Sequence, residues 1–147
     1  GPGDLYTSTL PNILVRGIAE AIRASKARKI LITNIMTKFG QTNGFSAYDF
    51  LTILNSYLGV RNEKDGIDIL IVNTKKPTPA LLKKYKLGQA EFIQPDIEAI
   101  KKKGARVIAG DFLANGSIKK VKGDALKRSM LRHDSEKIAK AIFDCVR

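Results

Sequence analysis

Three short, continuously apolar runs constrain this chain most: "KILITN", "IDILIVN" and "ARVIAGDFL". A run without polar alternation suits a strand buried on both faces, as in a parallel sheet. Helical segments separate the runs. "PNILVRGIAEAIRAS" places Ile13, Leu14, Ile18, Ala21 and Ile22 on one face and predicts a helix from Pro11 onward. Ser46 and Asp49 form an S-x-x-D capping box for "AYDFLTILNSYLG", which ends at Gly59. Thr78 caps "PALLKKYKLG", Pro95 starts "PDIEAIKKKG", and Asp134 caps "DSEKIAKAIFDCV" with Ile138, Ala141, Ile142 and Cys145 inward. "EFIQ" reads as a weak strand or an extended connector, and "LKRSMLRHD" is ambiguous. Strands alternating with helices predict an α/β fold with a mostly parallel sheet and helices on both faces.

With 147 residues, the chain forms one α/β domain, 1–147, large enough for a core. No apolar run reaches the roughly 18 residues of a membrane span, and no signal peptide is visible. The single cysteine, Cys145, has no internal disulfide partner and reads as a buried helical thiol, which places the protein in the cytoplasm. A net charge of +12 favours anionic partners: phosphates, nucleotides, nucleic acid or an acidic protein surface. The basic stretches "KKKGAR" and "KKVKGDALKR" carry almost no interleaved aromatics, so a nucleic-acid-binding module rests on charge alone. No zinc spacing and no G-x-S-x-G elbow occurs, and no metal site is expected.

Ligands of open α/β sheets bind outside the carboxyl ends of the strands. That rule selects residues 34–45, 73–77 and 110–116. The first offers neutral hydrogen-bonding groups on Asn34, Thr37, Gln41 and Thr42, with Gly40 and Gly44 as points of close approach. It suits recognition better than acid–base chemistry. Asp111 follows the third run, where it suits a metal, a ribose hydroxyl or a loop cap. His133, the only histidine, stands between Arg132 and Asp134 and suits phosphate binding, a general acid or a structural role. The opening "GPGDLYTSTLPN" brings Gly1, Pro2, Gly3, Tyr6, Thr7 and Ser8 in front of a helix start. On physical grounds it is equally an anion cradle or a cloning remnant.

Taken in order, "GPGDLYTSTLPNILVRGIAEAI", "NIMTKFGQTNGFSAYD", "VNTKKPTPALLKKY" and "RHDSEKIAKAI" resemble the C-terminal half of the 2-phospho-lactate transferase superfamily. The nearer likeness is to its gluconeogenesis factor branch, with the pattern G-P-G-S-L-Y-T-S followed by P-N-L-L. The likeness spans essentially the whole chain. It implies a Rossmann-like three-layer fold that binds a nucleotide or UDP-sugar, with a regulatory role in carbon metabolism, cell shape or cell-wall precursor supply. The alternative is a magnesium-using transferase of deazaflavin coenzyme biosynthesis. It also implies that the family's N-terminal half, with its G-G-G-T-G-like loop, is a missing partner of this chain. Homo-oligomerisation stays open.

Carried over by motif, Gly1, Pro2, Gly3, Tyr6, Thr7 and Ser8 form the anion loop, and Asn34, Thr37, Gln41 and Thr42 the polar loop. Phe45 stacks on a base, Lys84 meets a diphosphate, and His133 falls in the family's H-D motif. The chain departs from the family loop M-T-Q-P-G-E-T-D-G-Y, which here reads "MTKFGQTNGF". Gln41 and Asn43 stand for carboxylates, Phe45 for tyrosine, and Phe50 for a histidine. Asp4 stands for serine and brings negative charge into the anion loop. Amides keep hydrogen bonding but lose metal ligation and basicity, so catalysis is placed in doubt more than binding.

Overall fold

A computed structural model describes residues 2–62, 65–115 and 130–146. Its three apolar runs form β1 (Ile30–Ile32), β2 (Ile69–Asn73) and β3 (Arg106–Gly110). These make one parallel sheet in the order β1-β2-β3. Ile30 pairs with Ile69, and Ile69 with Arg106. Every residue of β2 is buried, as its unbroken apolar sequence requires.

The helices are α1 (Leu10–Ile13), α2 (Ile18–Ala24), α3 (Ala47–Leu58), α4 (Pro79–Leu87), α5 (Ile97–Lys102) and α6 (Ser135–Val146). One face of the sheet carries Leu31, Leu70, Val72 and Val107 and packs on Leu10, Ile13, Leu51, Leu54 and Ile100 from α1, α3 and α5. The opposite face carries Ile69 and Ile71, both buried, with Ile30, Ile32 and Ile108 half-buried. Ala141 and Cys145 of α6 share a groove of about 350 Å³ with Ile108 and Phe112. Helices thus lie on both faces, and the architecture is Rossmann-like.

Caps follow the sequence closely. The Ser46 N–H donates to Asp49 Oδ2 at 2.7 Å, and the Leu81 N–H to Thr78 Oγ1 at 3.4 Å. Asp134 Oδ1 accepts from the N–H groups of Glu136 and Lys137 at 3.0 and 3.1 Å. Three expectations need correction. The helix predicted from Pro11 to Ser25 is not continuous: a π-helical turn (Leu5–Thr9) leads into α1, and Gly17, with φ of 87°, breaks the chain before α2. The break turns Leu14 and Ile18 to solvent, 65% and 40% exposed, where a continuous helix places them inward. The fifth helix starts at Ile97 and not Pro95, because Asp96 takes a left-handed φ of 41°. "EFIQ" is extended, and Phe92 makes one antiparallel bridge to Met36. Cys145 is half-buried, its Sγ donating to the Ala141 carbonyl at 2.7 Å. Residues 116–129, which hold most of the turn "ANGSIKKVKGD" and the first four residues of "LKRSMLRHD", lie outside the described residues.

Gly17 separates two outcomes. In a continuous helix, Gly17→Ala would stabilise by roughly 0.5–1 kcal/mol. In the left-handed conformation it costs about 1–2 kcal/mol, and urea denaturation should show that loss.

Candidate functional site

The carboxyl ends of β1 and β3 receive chain from three directions. Residues 2–9 reach the loop after β1: Asn34 Nδ2 donates to the Gly3 carbonyl at 3.3 Å. The Tyr6 ring stands edge-on to Phe45 with centroids 6.5 Å apart, and Phe45 meets Phe50 likewise at 6.0 Å. Lys38 Nζ lies 3.5 Å from Asp4 Oδ2. That pair is solvent-exposed and contributes at most about 1 kcal/mol. A Cβ on Gly3 would stand 2.5 Å from Ser8 Cβ, so the opening segment closes on itself only with glycine there.

The predicted residues divide by what their polar atoms already do. Thr37 is buried, its N–H donating to the Glu91 carbonyl at 2.7 Å and its hydroxyl oxygen accepting the Glu91 N–H at 2.8 Å. Thr42 is buried and accepts the Lys38 N–H at 2.8 Å. Both threonines shape the loop. Gln41 Oε1 is buried and lacks a partner. Pro2 is half-buried, while Tyr6, Thr7 and Ser8 are exposed in the π-helical turn. The N–H groups of Ser8 and Thr9 already donate to the Asp4 carbonyl at 2.9 and 3.1 Å. Gly1 lies outside the described residues.

His133 comes to the same end of the sheet from α6's approach. It bridges Leu113, while the Ala114 N–H donates to the Arg132 carbonyl and the Asp134 N–H to the Phe112 carbonyl. Its Nε2 is buried without a partner. Burial holds the imidazole below its ordinary 6.5, opposed by hydrogen bonding to the Thr33 main chain, which favours the protonated form. Lys84 stands exposed on α4. Its neighbour Tyr85 accepts the Leu131 N–H on its hydroxyl at 2.9 Å, tying α4 to the His133 segment.

Asp111 accepts the Leu113 N–H at 3.1 Å and lies 3.5 Å from both Lys75 and Lys137. The Leu113 hydrogen bond, aided by the two lysines, holds its carboxyl below the usual range. Among the described residues, no three His, Cys, Asp or Glu side chains converge as metal ligands. Gln41 and Asn43 are neutral, and Asp4 and Asp111 face lysines. The described residues therefore form no magnesium ligand set of their own.

Sequence reasoning missed Lys38. The available signal was a cation in the loop after β1 and an acid in the opening segment, but only the fold brings them together.

A family profile described as "2-phospho-L-lactate transferase CofD" matches residues 1–113. The chain belongs to the CofD family. It is 33% identical over 147 residues to the gluconeogenesis factor of Bacillus subtilis, covering all of this chain and 42% of that protein. It is 36% identical over 143 residues to the gluconeogenesis factor of Listeria innocua, covering 97% and 39%. A crystal structure of a UPF0052 family protein from Bacillus halodurans superposes with a TM-score of 0.82 at 35% identity, covering 97% of this chain and 41% of that one. The chain therefore spans about two fifths of the length of these relatives. No helix among the described residues is long and apolar enough to cross a membrane.

The His133 environment sets a pH dependence. The folded pKa lies below the unfolded one, so the unfolded chain takes up its proton first as pH falls. The contribution to stability is full above about pH 6.5 and declines below it. Between about pH 7.5 and pH 5.5, the native protein should lose more thermal stability than His133→Gln. Parallel losses in the two proteins would show that His133 is not the group responsible.

Proposed function

We propose that this chain forms one wall of a nucleotide-sugar site, in a regulator of the gluconeogenesis factor type acting in carbon metabolism, cell shape or cell-wall precursor supply. The observation that carries the reading is the convergence of the opening segment on the polar loop at the carboxyl end of β1. Ligands of doubly wound sheets occupy this end, where the strand order reverses. The Tyr6–Phe45 pair supplies a face for a base or sugar, and Asn34 and Gln41 supply neutral hydrogen-bonding groups. Family membership supports the reading, since the named relatives include gluconeogenesis factors.

The opposite wall belongs to the rest of a family domain docked along the outer edge of β1. Strand order runs in one direction through β1, β2 and β3, so the reversal lies beyond β1. The Lys29 carbonyl accepts from Ile69 and the Thr33 N–H donates to the Ile71 carbonyl. Ile30 and Ile32 therefore turn their N–H and C=O groups to the outer edge. Their half-burial and the extra length of the relatives support a further parallel strand there. In hydrogen exchange, the Ile30 and Ile32 amides should exchange rapidly in this chain alone and slowly in the full-length protein. Equal rates would remove the edge as a docking site.

The nucleotide reading has its own test. Millimolar UDP-glucose, without added metal, should raise the melting temperature of the full-length protein. Ligand at about 100 times its Kd adds about 2.7 kcal/mol. No shift would overturn the reading, and product from deazaflavin plus activated phospho-lactate would favour the transferase.

A further inference from the structure

The polar loop is built around Lys38. Its N–H donates to Thr42 Oγ1 at 2.8 Å, and its carbonyl accepts from Gln41 and Thr42 at 3.0 and 2.9 Å. The main chain at Lys38 is thus pinned on a buried threonine, while the side chain is 58% exposed and crosses to Asp4. Asp4 is pinned in the same manner, its carbonyl held by the Ser8 and Thr9 N–H groups. Two hydrogen-bonded backbones therefore present one cation and one anion to each other where the opening segment meets the polar loop.

We propose that Lys38 is the phosphate-recognition residue of the site and that Asp4 is its placeholder. The proposal rests on the nucleotide reading above. An ammonium paired with one exposed carboxylate keeps spare donors and loses little on leaving it. A diphosphate offers more acceptor oxygens and a higher charge, and so draws the ammonium away. Asp4 is then left beside the incoming anion and opposes it. Affinity for the phosphates is the difference between these two effects, and Asp4 sets how much negative charge Lys38 accepts. The buried, unpartnered Gln41 Oε1 lies three residues along the same loop. A buried acceptor of this kind calls for a donor, which a ribose hydroxyl or a base N–H supplies.

The experiment compares UDP with uridine on the full-length protein by calorimetry at low salt. Uridine reports the base and sugar contacts, and UDP adds the phosphates. Lys38→Gln should lower UDP affinity about tenfold and leave uridine binding unchanged. Asp4→Ser should raise UDP affinity several-fold, and the double variant should behave as Lys38→Gln. Both side chains are solvent-exposed, and a thermal melt confirms that each variant folds. An unaltered UDP-to-uridine ratio in Lys38→Gln overturns the assignment of Lys38 alone. Failure of the native protein to bind either compound overturns the nucleotide reading and this proposal with it.

Discussion

Asn73 is the residue on which the carboxyl end of the sheet depends. It ends β2 at 3% exposure, where an unpaired amide would be costly. Its Oδ1 accepts the Phe112 N–H at 3.0 Å, and its Nδ2 donates to the Lys75 carbonyl at 2.8 Å. One side chain thus buckles the loop after β2 to the loop after β3. Phe112 in turn accepts the Asp134 N–H on its carbonyl, which fixes the approach to α6 and the place of His133. A buried polar group with both functions satisfied makes the geometry specific, because any other loop path leaves the amide unpaired.

The sheet was legible because its signal is local. Unbroken apolar runs bounded by polar turns have few other solutions, and β2 buries every residue that its pattern offers. The capping box at Ser46 and the cap at Thr78 are equally local. The segment from Pro11 to Ser25 was not legible in the same way. Its apolar spacing fits one helix, but Gly17 is as compatible with a left-handed break as with a helical interior. Packing of α1 and α2 against α3 decides between them. The start of α5 failed for a similar reason. Proline favours a first turn, but Asp96 takes a left-handed conformation that short polar side chains tolerate.

Within the loop after β1, sequence could not sort the residues by what the fold does with them. Asn34, Thr37, Gln41 and Thr42 look alike as neutral hydrogen-bonding groups. The fold spends Thr37 on Glu91 and Thr42 on Lys38, both within the protein. It leaves Gln41 Oε1 without a partner. Which polar group is consumed depends on the connector around Glu91, some 50 positions away, and no local pattern encodes that. Phe45 shows the same limit. An aromatic position in a loop suggests stacking on a base, but the ring also has edge contacts on Tyr6 and Phe50 to satisfy.

The net charge acts at a different range from the site. Exposed Lys83, Lys84 and Lys86 on α4 and Lys101, Lys102 and Lys103 around the end of α5 supply much of the positive surface. Those at helix C-termini complement the local dipole, a structural reason for their placement. Their field, screened over about 8–10 Å, attracts anions without selecting among them. Selection requires a charge whose position is fixed and whose alternative partner is equally fixed. Lys38 opposite Asp4 meets that requirement, because each backbone is held by its own hydrogen bonds while the side chains remain free to exchange partners. On the proposal above, a chain with +12 net charge attracts anions broadly and recognises phosphate at Lys38 against the counter-charge of Asp4.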